Sequence, residues 1–109
     1  MPWARIDDSA ADHRKFKRAG LEAAGLYWLA VSYCARYLTD GHIDHDWLEE
    51  RVPQPSKRDR LLEALVEQRL FDRNGSGFVV HDYLDFNPTA EQVLKRRKAD
   101  ADRKASART

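Results

Sequence analysis

Residues 55–83 read PSKRDRLLEALVEQRLFDRNGSGFVVHDY. The first half has a helical period, with Leu61, Leu62, Leu65 and Val66 on one stripe and Lys57, Arg60, Glu63, Ala64, Glu67 and Gln68 on the other side. Ser56 is the expected N-cap, with Asp59 three residues on. The second half is two apolar or aromatic runs, Leu70 to Arg73 and Phe78 to Asp82, around Asn74-Gly75-Ser76-Gly77. That cluster favours chain reversal and predicts a β-hairpin. A helix led by cations and followed by a glycine-rich hairpin fits two readings: the hairpin closes a small core, or helix and hairpin together face nucleic acid.

Upstream, Leu21 to Leu38 forms the strongest helical pattern, with Leu21, Ala24, Trp28, Val31, Ala35 and Leu38 at spacings of three and four. Leu26, Leu29, Ala30, Tyr33 and Tyr37 cover much of the remaining surface, so this helix is expected at the centre of the fold. Thr39-Asp40-Gly41 ends it. His42-Ile43 has room only for a very short strand, and Asp46 with Glu49 suggests a capped two-turn helix that stops before Pro53. Before the central helix, residues 12–19 suggest one or two helical turns anchored by Phe16 and broken at Gly20, and Trp3 to Asp7 suggests a short extended piece. Trp3, Trp28 and Trp47 read as core.

Asn87 and Pro88 open a last helix, which carries the i,i+4 pairs Glu91/Lys95, Arg96/Asp100, Lys98/Asp102 and Asp100/Lys104. Only Val93 and Leu94 have the bulk to pack, so this helix is expected to project into solvent or fray beyond about Arg97. The order helix, short strand, helix, helix, hairpin is that of a winged helix-turn-helix. The expected fold is therefore mainly α with a small β-hairpin, a winged-helix domain over residues 1–87 followed by a basic helical extension over residues 88–109.

At 109 residues the chain has the length of one domain with an extension, and 42% hydrophobic residues suffice for a single core. The formal net charge is +1. Its distribution says more: residues 1–90 carry 12 Lys/Arg against 15 Asp/Glu, while residues 91–109 carry 7 against 3. Basic arms of this kind often contact nucleic acid, and are also often solvated helices. The single cysteine, Cys34, permits no internal disulfide and fits a reducing, cytoplasmic setting. No secretory leader is expected, and the longest uncharged run, 13 residues from Ala23 to Ala35, is too short to span a bilayer.

The candidate DNA-binding residues follow from this layout. Lys57, Arg58 and Arg60 sit where a helix N-terminus favours phosphate, with Ala64 further along the same helix. Arg73, Asn74, Gly75 and Ser76 form the hairpin tip, and Lys95, Arg96, Arg97 and Lys98 spread charge around the last helix. Glu63 and Glu67 on the exposed face oppose phosphate, so a protein-interaction role for the same face stays open. HIDHD, residues 42–46, lies near His81-Asp82 in the expected sheet but matches no zinc spacing, and no metal or cofactor is expected. Nor is catalysis expected: Cys34 is in the most apolar helix, and no nucleophile elbow, phosphate loop or dinucleotide fingerprint is present.

Three phrases carry a resemblance: PWARIDDS at residues 2–9, AAGLYWLAVSYCARYLTDGHID at 23–44 and VVHDYLDFNPTAEQVLKRRKADADRK at 79–104. Together they resemble small winged-helix proteins encoded by actinobacterial phages and prophages, similar to the N-terminal domains of phage replisome-organiser or replication-initiation proteins. The resemblance implies binding to double-stranded DNA at an origin or operator, a recognition helix at residues 56–69, a wing at 71–82, and recruitment of a replication or host protein. A single module of this size buries modest surface, so tight specific binding implies a homodimer or an array of sites.

Overall fold

Phe71 marks the place where the helical and sheet parts of the core meet. The computed structural model describes residues 3–4, 9–75 and 77–107, and the elements run α1 (Arg14–Ala19), α2 (Leu21–Tyr37), β1 (His42–Ile43), α3 (His45–Arg51), α4 (Pro55–Glu67), β2 (Phe71–Asn74), β3 (Gly77–Val80), α5 (Tyr83–Phe86) and α6 (Ala90–Ala107), with a 3-10 turn at Ala10–Asp12 before them. The architecture is mainly helical with a small antiparallel sheet of order β1-β3-β2. Phe71 pairs with Val80, Arg73 with Phe78 and Asn74 with Gly77, while His42 and Ile43 lie opposite Val79 and Phe78. The extended piece expected from Trp3 to Asp7 lies largely outside the described residues, as does Ser76 at the hairpin tip.

Helices α1 and α4 and strands β1 and β3 all pack on α2. Its buried stripe differs from the one its bulky residues suggest. Ala23, Ala30 and Cys34 are wholly buried, with Leu26 and Val31 beside them, whereas Leu21 is 90% exposed. Small side chains at the centre let α4 and the sheet approach closely, and the large aromatics pack at the flanks: Tyr27 and Trp28 ring Phe16 of α1, and Tyr33 meets Trp47 of α3. Trp3 is 82% exposed and so is not core. From α4, Leu61, Leu62 and Leu65 enter the core, each contributing roughly 1.5–3 kcal/mol by burial.

The caps also depart from expectation. Helix α3 is capped by Asp44, which accepts from the Asp46 amide at 3.2 Å and lies before the expected Asp46 in the chain. Helix α4 starts with Pro55, and Gln54 precedes it without a side-chain cap, because proline at the first position has no amide to satisfy. Helix α2 ends with a left-handed turn at Leu38 (φ 55°), ahead of the glycine expected there. Gly41 (φ 94°) then sits so close to Tyr83 that an added Cβ would meet the Tyr83 Cβ at 3.0 Å.

Helix α6 opens two residues later than Pro88. Thr89 and Gln92 form a reciprocal capping box, the Thr89 amide donating to Gln92 Oε1 at 2.9 Å and the Gln92 amide to Thr89 Oγ1 at 3.1 Å. Asn87, expected as the cap, is buried and donates to the Tyr83 carbonyl. The helix does not fray at Arg97 but continues to Ala107 with no buried residue. Eighteen residues at 1.5 Å each make a rod of about 27 Å, which accounts for overall extents of 58 × 30 × 20 Å. None of the helices is long and apolar enough to cross a membrane among the described residues.

Candidate nucleic-acid interface

The hairpin lies beside α4, and one contact ties them: Arg73 Nη2 donates to Glu63 Oε2 at 2.7 Å. The Arg73 guanidinium also lies 5.6 Å from the centre of the Phe78 ring on the neighbouring strand. Asn74 reaches across the sheet, its Nδ2 3.3 Å from His42 Nδ1. Both tip residues are therefore held against the domain, and Gly75 (φ 58°) supplies the left-handed turn between the strands. His81, expected on the wing strand near His42, instead follows the end of β3 and lies between two carboxylates, 2.7 Å from Asp72 and 3.2 Å from Asp82.

The cations at the start of α4 do not act as one group. Lys57 Nζ is 2.6 Å from Glu22 Oε2 of α2. That hydrogen bond, then the Lys57 charge and a smaller contribution from Arg60, holds the Glu22 carboxyl below its ordinary value. Arg58 is half-buried and folds back to donate to the Val52 carbonyl at 3.0 Å, closing the bend between α3 and α4. Ala64 is partly buried against the core and so does not belong to the outward surface on which the sequence placed it. After Pro55, the exposed side of α4 consists of Ser56, Asp59, Arg60, Glu63 and Glu67. Its three carboxylates recur every four residues and share a line along the helix.

The tail is different. Lys95, Arg96, Arg97 and Lys98 are all exposed, and among the described residues none is joined to a carboxylate. Among the described residues none of the four i,i+4 pairs expected along α6 closes; Asp100 instead pairs with Arg103 at i,i+3. Arg96 and Arg97 also face a cleft of about 650 Å³ between the first turns of α6 and the body, whose walls include Leu38, Asp40 and Tyr83. The Asp40 carboxylate at its floor accepts the Ala90 amide at 2.7 Å. Sequence reasoning missed this anchor, since Asp40 beside Gly41 read only as a helix stop.

The remaining chemistry is sparse. Burial pushes the Cys34 thiol up, and its Sγ donates to the His42 carbonyl at 3.6 Å, so it behaves as a small core hydrophobe. Among the described residues, no three His, Cys, Asp or Glu side chains gather where a metal ion could be held. No family model matches the chain, and neither a search of curated proteins nor one of solved structures finds a match.

Proposed function

We propose that this chain is a winged-helix module that binds double-stranded DNA, of phage or prophage type, serving in replication initiation or transcription control. The order α2-β1-α3-α4-β2-β3 with sheet order β1-β3-β2 supports the winged-helix reading. The observation that carries the DNA reading is the concentration of exposed cations, Lys95 to Lys98, without a carboxylate partner among the described residues, on a helix with no buried residue. An exposed helix of this charge gains attraction to phosphate by releasing counterions from the duplex. Arg60 adds the one cation on the exposed side of α4 that has no carboxylate hydrogen bond among the described residues. Lys57 and Arg73 become phosphate contacts by exchanging partners, since exposed ion pairs are worth only about 0–1 kcal/mol.

The test is duplex binding measured across salt concentration. The log of affinity falls linearly with the log of salt, and replacing Lys95, Arg96, Arg97 and Lys98 with glutamine lowers the slope by up to about 3.6. Absence of binding to any duplex at low salt removes the reading. It would favour instead a protein-interaction module, for which the mixed surface of Asp59, Arg60, Glu63 and Glu67 is the specific observation.

A further inference from the structure

We propose that Glu22 and Glu63 are internal phosphate mimics, which hold Lys57 and Arg73 away from arbitrary duplex and so set how sharply this domain discriminates among DNA sequences. The inference rests on the duplex reading above and assigns a role to two residues that oppose DNA by charge. The two pairs come from separate parts of the fold: Glu22 on α2 takes Lys57 of α4, and Glu63 on α4 takes Arg73 of β2. In each a carboxylate oxygen sits 2.6–2.7 Å from the cationic nitrogen, where a phosphate oxygen would otherwise bind.

Both pairs are open to solvent, with side-chain exposures of 42% and 60% for Lys57 and Glu22 and 58% and 68% for Arg73 and Glu63. Such pairs exchange readily. Binding a phosphate nevertheless carries two penalties here. The carboxylate loses its partner, and it is then left as a negative charge beside the polyanion. A non-specific site offers Glu63 nothing in return. A site that presents a cytosine amino group in the major groove offers it a donor. The carboxylates thus lower affinity everywhere except where the bases compensate, which is discrimination by unfavourable contacts rather than by added attraction. Glu67 provides the contrast, because it lies on the same exposed line of α4 and among the described residues holds no cation.

The experiment compares the full-length protein with E22Q, E63Q, the double variant and E67Q on a random-sequence duplex of about 25 base pairs, by fluorescence anisotropy over a salt series. Glutamine preserves shape and an acceptor oxygen, and a thermal melt checks that each variant stays folded. The expected result is that the double variant binds the random duplex roughly tenfold more tightly at low salt. Its salt slope should be steeper by about 1.8, or 0.9 for each cation released, while E67Q changes the slope little. An unchanged slope in the double variant overturns it, as does a gain in E67Q equal to that in E63Q, which would make the effect one of net charge alone. If neither the wild type nor any variant binds duplex, the DNA reading itself falls and takes this one with it, an outcome distinct from wild-type binding with an unaltered slope.

Discussion

The Asp40 carboxylate and the Ala90 amide, fifty residues apart in the chain, are joined by a 2.7 Å hydrogen bond. Asp40 has a left-handed backbone (φ 55°) in the turn that leaves α2, and Ala90 is the first residue of α6. The bond therefore fixes where the basic helix leaves the domain. With the Thr89–Gln92 capping box it supplies partners for the free amides of a helix that buries no residue.

Replacing Asp40 with glycine retains the left-handed turn and removes the acceptor. The first turn of α6 is expected to open more easily, by about 1–3 kcal/mol, seen as faster amide exchange around Val93 and Leu94. Asp40→Asn, which keeps an oxygen at that position, should restore most of the protection. Equal exchange in all three proteins would mean that the capping box alone holds the helix start.

Gly41 is the position least tolerant of a side chain. Its φ of 94° strains any L-residue, and a Cβ would press on Tyr83 at 3.0 Å. Gly41→Ala is expected to lower unfolding free energy by roughly 1–3 kcal/mol. Gly25, on the exposed side of α2 with open space around it, should gain slightly from the same change. Chemical denaturation of the two variants checks the contrast in sign.

Tyr83 is pushed up to about 12, first by burial and then by the neighbouring Cys34 and Asp40. A phenol whose folded value lies above its unfolded value of about 10 keeps its proton longer in the native state. Its contribution is thus fully present below pH 10 and is lost as pH rises from there toward 12. Tyr83→Phe should flatten part of the decline in stability over that window. Tyr27 and Tyr33, also raised by burial, leave a residual slope. Denaturation midpoints at successive alkaline pH values supply the measurement.

Arg60 stands among three carboxylates on the exposed side of α4. Arg60→Glu is expected to weaken duplex binding several-fold at low salt and to reduce the salt slope by about 1. Anisotropy titration decides this: unchanged affinity takes the side chain out of the interface, whatever α6 contributes.

Much of the architecture is written locally. The leucine spacing in residues 61–65, the glycines flanking Ser76 and the prolines around the start of α4 act over a few residues, so the helix, the hairpin and their order can be read from the chain itself. The central position of α2 is legible for the same reason, but its buried stripe is not. Hydrophobic pattern weights bulk, whereas close approach of α4 and the sheet selects the small residues Ala23, Ala30 and Cys34. The caps fall two residues from where side-chain preference places them, since Asp44 and Thr89 accept backbone amides, and Pro55 removes one, at positions set by the incoming direction of the chain.

The candidate site divides in the same way. That Lys95 to Lys98 lie on a charged helix with no core of its own follows from the sequence, because only Val93 and Leu94 offer it bulky apolar side chains. Which of the remaining cations face outward is a tertiary matter. Lys57 meets Glu22 and Arg73 meets Glu63 because the folding of α4 onto α2 and β2 brings them together, and Arg58 meets the Val52 carbonyl through the bend between α3 and α4. Local sequence specifies elements through short-range sterics and periodicity. Pairing of charges depends on distances between elements, and those exist only once the core has closed.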